Sequence, residues 1–203
     1  MSVIEMTRRP LQLYAKETLP RLSGRPARIE FKMQKQCHSN WCWTAVAASI
    51  AAHYGSDVKQ CDIANVELHR DDCCGQPCDT AGVPFNMTNV LASSLNRLRC
   101  FARCSRFQRA EPDEIDAELA AGRPLCARMV WRDGGGHFVV IVGSWSDVGG
   151  LRMLALEDPF WGPSECSYDG FAEHYQLLGG RWIDTYYTKA PPGAAGPPSR
   201  AVA

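Results

Sequence analysis

The segment from Trp41 to Tyr54 is rich in alanine, contains neither proline nor glycine, and is followed at once by Gly55. That composition favours a helix, and glycine is the usual residue just past a helix end. The segment is apolar on nearly every side, so it is expected to be the buried central helix of a core. A polar loop, Gln36-Cys37-His38-Ser39-Asn40, leads into it and places Cys42 in the first helical turn. There, free backbone N–H groups and the positive end of the helix dipole favour a thiolate. Gln36 lies six positions before Cys42, close enough for its side-chain amide to donate a hydrogen bond beside the sulfur.

The rest of the chain divides into a helical half and a strand-rich half. Arg28 to Met33 alternates charged and apolar residues and predicts a half-buried strand. Asp57 to about Arg70 predicts a second helix. A third helix is predicted over Met87 to Leu98, with Asn86 as its N-cap. Cys100 to Phe107 reads as extended, and Glu111-Pro112 opens a helix that ends at Gly122. Leu125 to Trp131 is strand-like, and His137 to Gly143, a run of β-branched and aromatic residues, is the clearest strand pattern in the chain. Gly149-Gly150 makes a turn into a partner strand, Leu151 to Glu157. A short helix over Phe171 to Leu178 and a closing strand over Arg181 to Thr188 complete the reading. Helices followed by strands define an α+β fold. Residues 28–189 form the expected domain, with a helical lobe at about 36–105 and a β lobe at about 106–189. Residues 1–27 are expected to be an arm or pro-like extension and 190–203 a flexible tail.

Cysteine catalysis needs a thiolate, a base, and donors for the oxyanion. Cys42 supplies the sulfur. His137 opens a core strand directly after Gly134-Gly135-Gly136, which places its imidazole at a strand end on the rim of a cleft. Asp158, at the end of the next strand, can accept a hydrogen bond from the second ring nitrogen and set the tautomer. Glu157 is its nearest rival. Gln36 and the backbone N–H of Cys42 would form the oxyanion hole. His38 lies on the same wall as Cys42 and is poorly placed as a base. His53, at the helix end, is expected to meet C-terminal carbonyls, and Trp41 to form cleft wall or core.

Gln36, Cys42 and Trp43 resemble the Gln-(five residues)-Cys-Trp signature of papain-like cysteine peptidases. Ser39-Asn40-Trp41 before the cysteine, with Gly135-Gly136-His137 and Asp158-Pro159 downstream, is most similar to the bacterial avirulence-effector type. The resemblance spans roughly Lys35 to Thr188 and implies a two-lobe fold with the cysteine helix on one cleft wall and the histidine on the other. Residue by residue it implies an oxyanion glutamine at Gln36, the nucleophile at Cys42, the general base at His137 and the orienting residue at Asp158. Trp161-Gly162 resembles a Trp-Gly pair that shields the histidine, here displaced by Pro159-Phe160. The spacing from Cys42 to His137 is shorter than the roughly 130–150 residues of the plant and lysosomal branch, so reduced cleft loops are expected.

The implied activity is peptide hydrolysis through a thioester. A deamidase or acyltransferase using the same triad, or a catalytically silent binding module, are the alternatives. The partner is expected to be a protein or peptide substrate, and the protein a monomer. The 22 basic and 22 acidic residues balance, so nothing points to nucleic acid. No apolar run is long enough to cross a bilayer. No cofactor is expected. Ten cysteines are many for a reducing cytosol. Cys61, His69, Cys73, Cys74 and Cys78 offer ligands for a structural zinc, but a disulfide-stapled loop or free buried thiols fit the same spacing, and Cys73 and Cys74 are not expected to bond to each other. The N-terminus lacks the pattern of a Sec signal peptide, which predicts a cytoplasmic protein or one exported by another route, as an effector would be.

Overall fold

A computed structural model describes residues 27–176 and 179–194. The predicted arm, apart from Ala27, and the tail beyond residue 194 lie outside the described residues, as does the predicted helix end at Leu178. Helix α1 (Cys42–His53) is the organising element, and every residue from Cys42 to Ala51 is buried. Its end follows from Gly55, whose φ of +86° lets the chain turn back so that Ser56 N–H bonds Ala51 O at 2.9 Å. Two shorter helices, α2 (Gln60–Glu67) and α3 (Leu91–Arg97), pack beside it.

The sheet is antiparallel. Its strands are β1 (Ala27–Arg28), β2 (Phe101–Ser105), β3 (Leu125–Val130), β4 (Gly136–Ser146), β5 (Arg152–Glu157), β6 (Ser164–Ser167) and β7 (Arg181–Thr188). Their order is β2-β7-β3-β4-β5-β6, with β1 paired to the far half of β4. Side chains alternate across the sheet with the period of two that strands impose. Phe138, Val140 and Val142 face α1, whereas Val139 and Ile141 face helices α4 (Pro112–Ala120) and α5 (Tyr168–His174) on the opposite side. The fold is α+β, as expected, with helices on both faces of the sheet.

Several elements are shorter than predicted. Of the segment expected to be a strand, Arg28 to Met33, only Arg28 forms a ladder pair, together with Ala27 before it. Its alternation is nonetheless real: Ile29, Phe31 and Met33 pack on the core while Arg28, Glu30 and Lys32 face solvent. The third helix starts four residues later than predicted, because Asn86 spends its side chain elsewhere. Its Oδ1 accepts from Asn40 N–H at 2.9 Å, and its Nδ2 donates to Ser39 Oγ at 2.8 Å. Strand β6 is short, polar and at a sheet edge, and it carries no alternation to reveal it. Strand β2, placed with the helices by the sequence, joins the sheet as an edge.

Candidate active site

Cys42 is the first residue of α1 and is only 6 % exposed. The loop ahead of it is pinned at many points. Trp41 Nε1 donates to Phe85 O and Trp43 Nε1 to Met87 O, both at 2.9 Å. Asn86 holds Ser39 and Asn40 as described, and Gln36 N–H bonds Pro159 O at 2.9 Å, tying the loop to the segment after β5. Among the described residues, no hydrogen bond engages the backbone N–H of Cys42.

His137 sits one residue into β4, across the cleft from α1. Its imidazole and the Cys42 side chain line the same cleft. Nε2 lies 2.9 Å from Asp158 Oδ2. With Nε2 engaged there, Nδ1 is the ring nitrogen left for another partner. Burial works against a charged imidazole, but the Asp158 carboxylate and its hydrogen bond, helped by Cys42, outweigh it and raise His137 to about 10. Burial likewise disfavours the Asp158 anion, and the charge and hydrogen bond of His137 reverse this, so that the carboxyl is held below its usual range.

An aromatic wall encloses the histidine. Trp161 meets it edge-on with ring centres 5.1 Å apart, and Trp131 stacks at 6.1 Å and 25°. Trp131 fits because residue 180 is glycine: a Cβ there would come within 2.4 Å of the Trp131 ring. The cleft has a volume of about 330 Å³. Gln36, Ser39, Asn40 and Thr88 line it from the helical side, and Trp131, Gly135, Gly136, Phe160 and Trp161 from the sheet side.

The structure thus gathers Gln36, Cys42 and His137 at one cleft, with Asp158 bonded to His137. Gln36 is buried, with Nε2 donating to the carbonyls of His38 at 2.9 Å and Ser39 at 2.8 Å. Its Oε1 is buried without a partner. The rival Glu157 lines a second hollow with Lys35 and Asp158 but makes no hydrogen bond to His137, and burial raises its carboxyl against the pull of Arg28. His38 is packed edge-on against Trp41 and Phe85, and burial lowers it despite the nearby Asp79. His53 Nε2 meets Gly122 O at 2.8 Å, a carbonyl just beyond α4 and not one of its own helix. Trp41 is core.

The five candidate zinc ligands do not converge. Cys61 is bonded to Cys74 and Cys78 to Cys37, Cys73 is a free buried thiol, and His69 is exposed. Among the described residues, the one group of potential ligands that lies close together is Cys61, Asp62 and Cys74, and its two sulfurs share a disulfide. Cys37, next to Gln36, is the bonding partner that cysteine spacing did not reveal. Trp131, Tyr175 and Asn86 also reach the site or its supports without any local motif to mark them.

A thiol on a helix start, an imidazole on a strand and a buried carboxylate, facing one another across a cleft in an α+β fold, define the class of papain-like cysteine peptidases. The match of a family model described as "Peptidase_C39 like family" over residues 28–188 is more specific, and the chain belongs to that family. No curated protein matches the chain. Among solved structures, the peptidase domain of Streptococcus ComA, a bi-functional ABC transporter involved in a quorum sensing pathway, is similar in fold. The two share 18% sequence identity with a TM-score of 0.53, covering 80% of this chain and 99% of that one. No helix among the described residues is long and apolar enough to cross a membrane.

Proposed function

We propose that this chain hydrolyses peptide bonds with Cys42 as nucleophile, His137 as general base and acid, and Asp158 as the residue that orients His137. The observation that carries this reading is the buried His137–Asp158 hydrogen bond beneath two tryptophans, at the cleft that Cys42 and His137 line together. The raised imidazole favours a proton on His137, and in this scheme that proton comes from the Cys42 thiol. The thiolate attacks the substrate carbonyl carbon, and the carbonyl oxygen takes the negative charge. The N–H of Cys42 and the Gln36 amide, both at the cleft, are the donors assigned to it. His137 then gives its proton to the leaving amine, the C–N bond breaks, and a thioester remains. Water, deprotonated by His137, attacks the thioester and releases the carboxylic acid and the thiolate.

Gln36 serves this scheme in two ways. Its amide holds the loop carbonyls that precede Cys42. One of those N–H groups is shared with the oxyanion once it forms. Within the superfamily, the Ser39-Asn40-Trp41 sequence supports an effector-type enzyme that acts outside the cell producing it. A secretion assay in the native bacterium that finds the protein confined to producing cells would remove that part of the reading.

Incubation with a proteome-derived peptide library tests the reaction. Wild type is expected to create new amino termini and Cys42→Ala none. Release of ammonia without new termini would reassign the same residues to deamidation, and identical products from both proteins would end the enzymatic reading.

A further inference from the structure

Asp158 accepts four hydrogen bonds, the number its carboxylate lone pairs allow. Oδ1 takes the backbone N–H groups of Phe160 at 2.7 Å and Trp161 at 2.9 Å. Oδ2 takes His137 Nε2 at 2.9 Å and the hydroxyl of Tyr175 at 2.7 Å. Tyr175 therefore donates to the same oxygen that faces the histidine.

The hydroxyl is delivered by a stiff mount. Tyr175 caps the C-terminal end of α5 and pairs with Gly180 through both backbone groups, at 2.9 and 2.8 Å. Its ring meets Phe171 edge-on at 5.1 Å and stacks on Trp131 at 6.4 Å and 15°. Trp131 in turn stacks on His137. Trp131 thus packs on both His137 and Tyr175, and those two residues converge on one carboxylate oxygen. Ring packing alone would be served by phenylalanine, whereas the hydroxyl is 4 % exposed as part of its residue and must find a partner inside the protein.

We propose that Tyr175 is a positioning residue of the site: its hydroxyl holds Oδ2 of Asp158 in line with His137 and keeps the carboxylate an acceptor, so that the proton stays on the imidazole. The proposal rests on the catalytic roles given above to Cys42, His137 and Asp158. A hydrogen bond to an ionised group is among the stronger kinds, and a second donor on Oδ2 makes that oxygen a poorer destination for the histidine proton. Burial, with the Asp158 charge beside it, pushes the Tyr175 phenol well above its usual value, so it remains a donor at every working pH. The other titratable groups around the pair are His137, with Cys42 behind it, and Cys166 beside Tyr175.

The test follows the Asp158 carboxyl carbon by NMR against pH in protein labelled with 13C-aspartate, assigned by Asp158→Asn. Alkylation of Cys42 by iodoacetamide is read over the same pH range. In Tyr175→Phe the Asp158 midpoint is expected to move up by about one pH unit, and the acid limb of alkylation to move with it. Phe171→Leu, which loosens the same ring but keeps the hydroxyl, is expected to leave the midpoint in place. An unmoved midpoint in Tyr175→Phe, or an equal shift in Phe171→Leu, overturns the proposal. If Tyr175→Phe does not fold, incorporation of 3-fluorotyrosine, a stronger donor, is expected to lower the midpoint, and no movement overturns the proposal. If wild-type Cys42 reacts no faster than the five other free cysteines, the catalytic assignment itself fails, and the role of Tyr175 falls with it.

Discussion

His137 Nε2 stands 2.9 Å from Asp158 Oδ2, with the two side chains 7% and 0% exposed. A charged pair so deep is stable only where further bonds satisfy it, and Asp158 has those from Phe160, Trp161 and Tyr175. The pair links the reactivity of the cleft to the pH dependence of the fold.

Asp158→Asn is expected to reduce turnover by about 10²- to 10⁴-fold, the usual range for disabling acid–base catalysis. The pair also affects folding stability. His137 is raised from 6.5 to about 10, so its contribution is full below pH 6.5 and fades as pH rises toward 10. Asp158 is lowered from 3.8, so its contribution is full above pH 3.8 and fades as pH falls below it. Urea unfolding of wild type and Asp158→Asn should therefore differ more at about pH 5.5 than at about pH 9. A difference that grows with pH would contradict the assignment.

Gln36→Ala separates the two tasks given to Gln36. Loss of an oxyanion donor typically costs about 10²- to 10³-fold in kcat. Alkylation of Cys42 forms no oxyanion, so its rate should stay within about tenfold of wild type if the loop holds. Equal losses in both assays would make Gln36 purely a loop support.

Gly180→Ala tests the aromatic wall. The added methyl would meet the Trp131 ring at 2.4 Å, forcing it off His137 and Tyr175. Destabilisation of about 1–3 kcal/mol is expected, as for overpacking elsewhere, together with changed tryptophan fluorescence. Unchanged melting and emission would show that the wall tolerates the displacement.

The disulfides predict a specific peptide map. Without reductant, Cys37 should be recovered with Cys78 and Cys61 with Cys74, leaving Cys73 alkylatable only after unfolding. The Cys37–Cys78 bridge spans 41 positions, and chain entropy alone assigns such a loop about 4 kcal/mol. Cys37→Ser should lower unfolding stability by about 2–5 kcal/mol. Full reactivity of all ten cysteines in the folded, unreduced protein would contradict this pairing.

The elements legible in the sequence are those whose signals are local. Helix α1 announces itself by its alanines and Gly55, and β4 by its run of apolar and β-branched residues. Cys42, His137 and Asp158 can be found because each sits at an element boundary that local pattern marks. The rest depends on what meets in space. Asn86 leaves its helix to clamp the loop at Asn40, and the alternation from Ile29 to Met33 runs on beyond the last ladder pair at Arg28. Tyr175 reaches Asp158 from 17 residues away through a backbone pairing with Gly180 that no short motif encodes.

The most direct measurement is peptide-mapped labelling with iodoacetamide at mildly acidic pH, comparing wild type with His137→Ala. The background is low, because burial pushes Cys100 up to about 11 and Cys166 up to about 12, and raises Cys73, Cys104 and Cys126 as well. Ordinary thiols are protonated at such pH, whereas a thiolate held by an imidazolium reacts. Fast, selective labelling of Cys42 in wild type that is lost in His137→Ala is the predicted result. Labelling of Cys42 that is slow, or that is the same with and without His137, would contradict the Cys42–His137 pair and the peptidase reading built on it.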